Sequence, residues 1–251
     1  MYTQLQLVEI FHIEFLRYLA ADMPPGLWAL KGGVNLRLFF KSIRYSEDMD
    51  LDVKGMPVES VKKRVMRILT SPSFRENLKT FGIAAIADII RAKQTAITQR
   101  FKVHLVTSSG EDHFTKVEFS RRGFQGEPVA ESVPAVVLRP YSMAPLVVRH
   151  YPAAIAAAQK ISAVLSRSSL QARDIFDLYQ LSSQVRPGAA GIPLPGRGEL
   201  AKAKERILEP GFEMFLDAVA AYLAPEDRKI YSVPSVWDEI KLKAADFVDE
   251  L

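Results

Sequence analysis

The chain has 251 residues, is 48% hydrophobic and carries a formal charge of +4, which supports a sizeable core in one large or two compact domains and permits, without demanding, a nucleic-acid partner. It contains no cysteine, which excludes disulfides and thiolate metal sites, and its four histidines (His12, His104, His113 and His150) lack zinc-ligand spacing. No apolar run approaches the roughly 20 residues needed to cross a bilayer, and Glu9 and Glu14 interrupt the N-terminal apolar pattern; a soluble, cytoplasmic protein with no membrane partner is expected.

Leu7, Val8, Phe11, Phe15 and Leu19 fall at helical spacing, predicting an amphipathic helix over residues 4–21 that Asp22-Met23-Pro24-Pro25-Gly26 ends. Leu27 to Leu30 read as a first strand. The pair Gly32-Gly33 follows, and a helix begins across Asn35 to Phe40. Asp48 to Val53 read as the next strand, closed by Gly55 and Pro57. Residues 58–70 are helical by pattern, with Val61, Val65, Ile68 and Leu69 on one face. Residues 80–107 admit two readings: β segments around 80–90 and 95–107, or a buried helix over Ile83 to Arg91. Ser108-Ser109-Gly110-Glu111-Asp112 is a turn. The strand after it directs Val117 and Phe119 away from Lys116 and Glu118. Val133 to Leu138 form a further candidate strand.

Beyond about Pro152 the composition changes. Helices are expected over 153–166 and 171–184, then a Gly/Pro-rich linker from Pro187 to Gly198, then helical patterns at 200–209, 212–223 and 235–248. The expected fold is therefore α/β (α+β), with a mixed-sheet domain over 1–150 and a helical domain over 151–251 that completes an active cleft.

The strongest chemical signal is Lys31-Gly32-Gly33 followed at short range by Arg44-Tyr45-Ser46-Glu47-Asp48-Met49-Asp50. On a strand, Asp48 and Asp50 share a face about 6–7 Å apart, a spacing suited to oxygen-bound Mg²⁺ on the phosphates of a nucleoside triphosphate. Gly32 and Gly33 would let backbone approach a phosphate, the following helix N-terminus offers N–H groups, and Ser46 adds a hydroxyl donor. The P-loop pattern is absent. Glu118 is the candidate third carboxylate, with pairing to Lys116 as the alternative; Glu127 and Glu131 are weaker choices. In the helical half, Lys160 and Arg167 share a face, as do Arg173 and Asp177; surface charge and a phosphate-facing Lys160 oriented by Asp174 both remain open. Lys62, Lys63, Arg64 and Arg67 form a basic cluster, with Arg91, Lys93, Arg100 and Lys102 adding charge nearby: either a solvated face or a phosphate-tracking surface. Tyr45 and Tyr179 are read as core aromatics close to the site segments.

Leu30 through Leu51 resembles the first motif of the AbiEii-type nucleotidyltransferases, toxins of bacterial abortive-infection and toxin–antitoxin systems within the DNA polymerase β-like superfamily. Lys116-Val117-Glu118 is similar to the strand bearing that family's further acidic position. Gln159-Lys160-Ile161-Ser162-Ala163 with Arg167, and Arg173-Asp174-Ile175-Phe176-Asp177-Leu178-Tyr179, resemble its helical lysine and R-D-x-x-D-L motifs. The resemblance implies transfer of a nucleoside monophosphate from an NTP to RNA, with the tRNA 3′ acceptor end as target and a separately encoded antitoxin as partner. It implies Asp48, Asp50 and Glu118 as Mg²⁺ ligands, Gly32, Gly33, Ser46 and Arg173 as nucleotide-binding residues, and Lys160 and Asp174 as functional residues of the helical half. Val34 stands where the family often has a small hydroxyl residue. Two other readings are a nucleotidyltransferase acting on a protein or small-molecule hydroxyl, and a noncatalytic NTP-binding or partner-binding protein.

Overall fold

A computed structural model describes residues 2–186 and 193–251. It divides into two units, Met1–Leu38 with Tyr45–Tyr151, and Phe39–Arg44 with Pro152–Leu251. Among the described residues no helix is long and apolar enough to cross a membrane.

In the first unit, helix α1 spans Gln4–Asp22 and opens with a capping box, in which the Gln6 amide donates to the Thr3 hydroxyl and the Thr3 amide to the Gln6 side chain. It is not the amphipathic surface helix the spacing predicts. Every residue from Leu7 to Leu16 is buried, including Glu9, His12 and Glu14, and each of those three has a polar partner: Arg37, Thr115 and Asn77.

Strand β1 is Trp28–Lys31, helix α2 Gly32–Phe39, strand β2 Asp48–Val53 and helix α3 Val58–Thr70. Helix α4, Pro72–Lys79, was not anticipated, although Ser71 as N-cap before Pro72 is a helix start signal. The ambiguous stretch resolves as a β hairpin: β3 Ile83–Gln94 pairs antiparallel with β4 Thr98–Thr107. Strand β5 is Asp112–Ser120 and β6 Val129–Ser132. The expected strand at 133–138 is instead the short helix α5, Ala135–Leu138, which follows Pro134; strand β7 then covers Val147–His150.

The seven strands order as β3-β4-β5-β2-β1-β7-β6. Strand β2 runs antiparallel to β1 and parallel to β5, so Lys31 and Glu118 both stand opposite Asp50. Side chains alternate across the pleat. One face carries Met49, Leu51, Phe101, Val103, Val117 and Phe119, all buried on the side of α1. The other carries Asp48, Asp50, Asp52, Arg100, Lys102, Lys116 and Glu118.

The second unit is helical: α6 Ala153–Ser166, α7 Ala172–Ser182, α8 Arg197–Leu208, α9 Phe212–Ala218, α10 Pro225–Tyr231 and α11 Pro234–Glu250. Of the expected linker, residues 187–192 lie outside the described residues, and 193–196 carry neither helix nor strand. Phe215 anchors this core, stacked on Trp237 at 4.8 Å between centroids.

A buried relay ties α1 to the entrance of β2. The Thr115 hydroxyl donates its one hydrogen to the Glu47 carbonyl at 2.6 Å, so it can only accept from His12 at 2.8 Å, which fixes the Nε2–H tautomer. Burial pushes the His12 imidazole down to about 3. Unfolded, the ring titrates near 6.5, so below that pH the unfolded chain takes up a proton that the folded chain refuses. The His12 contribution is complete above pH 6.5, declines as pH falls towards 3 and then levels off, a loss on the order of 5 kcal/mol. Urea unfolding at pH 7.5 and 4.5 is expected to show this acid loss in wild type and a much smaller one in His12→Gln, which donates the same bond without titrating.

Candidate active site

Strand β1 ends at Lys31, and the chain reverses into α2 through Gly32, whose φ of +68° lies in the left-handed region. A Cβ on Gly32 would sit 2.8 Å from Asp50 Oδ2. Glycine is therefore required twice, by its backbone angle and by the carboxylate beside it. Helix α2 is pinned by Asn35, fully buried, whose amide donates to the Tyr151 carbonyl at 2.9 Å. These contacts hold the start of α2 next to Asp50.

Asp48, Asp50 and Asp52 line one face of β2, and each position has a cationic neighbour. Lys116 lies across from Asp48 in register and its ammonium is 2.7 Å from the carboxylate. Lys31 reaches Asp52 at 2.6 Å, and the Tyr151 hydroxyl donates to the other Asp52 oxygen at 2.7 Å. Burial and the Asp52 carboxylate together push the Tyr151 phenol far above its usual range. Asp52 did not stand out in the sequence, although its place two residues beyond Asp50 was the available signal; with both oxygens engaged and 1% exposure it braces the site from behind.

Glu118 stands beside Asp50 in register, as the strand reading implies, but Arg100 rather than Lys116 holds it, at 2.6 Å. Ser46 donates to the Asp48 main-chain carbonyl at 2.8 Å, so in this structure its proton fixes the entry to β2. Glu127 pairs with Arg149 and Glu131 with His150, away from the β2 carboxylates. Tyr45 is buried beneath the Arg37 guanidinium, 4.1 Å from the ring centre.

Among the described residues no three His, Asp or Glu side chains converge into a ready-made metal cluster. The donor set nevertheless fits Mg²⁺. That ion takes hard oxygen ligands and is usually held by one or two carboxylates completed by substrate phosphates and water. Asp48 and Asp50 supply such a pair, half-buried, and Gly32 leaves the space for the Asp50 carboxylate.

In the helical unit, Lys160 lies 2.9 Å from Asp174 and 2.6 Å from Asp177. Arg167 completes Asp174 at 3.0 Å, and Arg44 grips Asp177 through two nitrogens. The expected Arg173–Asp177 pairing does not form; Asp177 turns inward to Arg44 and Lys160, and Arg173 is half-buried without a hydrogen bond or ion pair among the described residues. Burial pushes the Lys160 ammonium down, but Asp174 and Asp177 outweigh it and leave it raised, hence cationic. Burial raises Asp177, yet Arg44 and Lys160 prevail and hold it below the usual carboxylate range. The R-D-x-x-D spacing signalled the aspartates; Arg44, more than 100 residues away in sequence, could not be assigned from it.

The Lys62 to Arg67 cluster is half neutralised: Arg64 and Arg67 share the Asp22 carboxylate, Lys62 pairs with Glu59, and Lys63 is exposed. Arg44→Ala would leave Asp177 short of charge in the core, and is expected to lower unfolding free energy by about 3–5 kcal/mol with little dependence on salt. The exposed Arg67→Ala is expected to cost less than about 1 kcal/mol in the same urea titration.

Comparison with known proteins adds to this geometry. The family model described as "Nucleotidyl transferase AbiEii toxin, Type IV TA system" matches residues 15–209. No curated protein matches. Among solved structures, JHP933 from Helicobacter pylori is similar over 99% of this chain and 92% of its own, with a TM-score of 0.59 at 19% identity. MenT4, a nucleotidyltransferase toxin from Mycobacterium tuberculosis, is similar over 99% of this chain and 85% of its own, with a TM-score of 0.59 at 17% identity. At these identities the likeness is one of fold.

Proposed function

The chain belongs to the AbiEii nucleotidyl transferase toxin family, and from that premise we propose that it transfers a nucleoside monophosphate from an NTP to RNA, at the 3′ acceptor end of tRNA, with release of pyrophosphate. The observation that carries this reading is the placement of Asp48 and Asp50 on one face of β2, against a glycine turn that has no room for a side chain. A separately encoded antitoxin, as the Type IV toxin–antitoxin description suggests, would restrain the activity.

In this reading Asp48 and Asp50 hold Mg²⁺, with Glu118 as the third carboxylate because it is the register neighbour of Asp50. Bound there, the ion would neutralise triphosphate charge and favour attack at the α-phosphorus. The residues of the chain do the rest. The Gly32-Gly33 turn and the first N–H groups of α2 cradle phosphate oxygens. Lys116 balances the charge of Asp48 before substrate arrives, and Lys31 and Tyr151 keep Asp52 from turning towards its neighbours. In the helical unit Asp174 and Asp177 keep Lys160 protonated, and Lys160 and Arg173 are its candidate nucleotide-binding residues.

The test incubates purified protein with Mg²⁺, each α-labelled NTP in turn and total bacterial RNA, beside Asp48→Ala. A labelled tRNA band is expected from wild type, with a loss of at least about 100-fold in the variant. Undiminished transfer by Asp48→Ala would remove β2 from the mechanism; label appearing on protein or a small molecule would redirect the acceptor.

A further inference from the structure

Strands β3, β4 and β5 carry a surface that the transfer site does not use. On the face shared with Asp48 and Asp50, Phe114 is 63% exposed, and its ring stacks on His104 with centroids 4.5 Å apart and planes at 21°. His104 is held from behind by Asp112 at 2.6 Å. A large exposed aromatic ring, braced in this way on a charged sheet face, has no core to explain it.

The next rows inward are cationic. Lys102 stands directly across from Lys116, and Lys93 across from Arg100. Like charges facing each other across strands oppose sheet stability. In each row one cation is matched by a carboxylate of the candidate site, Lys116 by Asp48 and Arg100 by Glu118. The others, Lys102 and Lys93, are exposed and make no ion pair among the described residues. The face thus offers a ring for stacking and two cations without an ion pair, with the Asp88 carboxylate across from His104 at its outer edge. From Phe114 to Lys116 is two residues of β5, about 7 Å, and Asp48 lies in the Lys116 row.

We propose that this strip, Phe114 with His104, Lys102 and Lys93, binds single-stranded RNA and leads it to the β2 carboxylates, with one base stacked on Phe114 and phosphates on the two lysines. The proposal rests on the nucleotidyltransferase reading of Asp48 and Asp50. Nucleic acid suits the surface better than a protein partner, because protein interfaces deplete lysine at their centre. A single strand suits it better than a duplex, because only an unstacked base can offer its π face to the ring.

The experiment is fluorescence anisotropy of a labelled single-stranded RNA dodecamer titrated with the full-length protein, without NTP, over a range of salt concentrations. Phe114→Ala is expected to weaken binding roughly 5- to 100-fold, with Phe114→Trp restoring it. Lys102→Gln is expected to reduce the slope of log affinity against log salt by about 0.7. The same sequence as a duplex should bind more weakly and ignore Phe114. Because Phe114 is exposed, its variant should unfold at the wild-type urea concentration. Equal affinity for single strand and duplex, or unchanged binding by Phe114→Ala, overturns the proposal. Nucleotide transfer is assayed separately with the same proteins. Transfer with binding that ignores Phe114 rejects the strip and keeps the enzyme; Phe114-dependent binding without transfer to any RNA keeps the strip as a binding surface and rejects RNA as the acceptor.

Discussion

The structure of the first unit depends on the double pairing of β2, antiparallel to β1 and parallel to β5. Locked on both edges, the strand must send alternate residues to opposite faces. Met49 and Leu51 enter the core under α1, and their burial, worth about 1.5–3 kcal/mol per side chain, holds the register. That register forces Asp48, Asp50 and Asp52 together on the other face. Three carboxylates so close would repel. Lys116 and Lys31 offset the repulsion, and Tyr151 adds a hydrogen bond to the innermost.

The same logic appears in the helical unit with different chemistry. There Asp174 and Asp177 are buried by α7, and Lys160, Arg44 and Arg167 balance them. Such a network contributes little net stability over apolar packing, since desolvation consumes most of the Coulomb gain. Its effect is to specify one geometry and one protonation state for Lys160. Arg44 belongs to this unit although it lies between α2 and β2 in the chain, so the segment that feeds the carboxylate strand also completes the helical core.

Legibility in the sequence followed the range of the forces involved. The helix over 58–70 and the strand over 48–53 were readable because period and punctuation are local. Family motifs marked Asp48, Asp50, Glu118, Lys160 and Asp174, and the matched family model supports the membership they implied. Contacts set by tertiary register were not readable: Arg100 rather than Lys116 on Glu118, Arg44 rather than Arg173 on Asp177, and burial all round α1 where an amphipathic face was expected. The candidate strand at 133–138 is a helix for a local reason: Pro134, with its fixed φ, stands at the N-cap and starts α5.

In the proposed reaction, the close approach of Gly32 to Asp50 serves catalysis rather than folding. Gly32→Ala tests it most directly, with transfer rate and unfolding free energy measured on the same protein. The left-handed backbone makes a modest loss of about 1–2 kcal/mol inevitable. The added methyl also forces the Asp50 carboxylate aside, so transfer is expected to fall about 100-fold at saturating Mg²⁺ and NTP. A folded Gly32→Ala protein with wild-type transfer would contradict it.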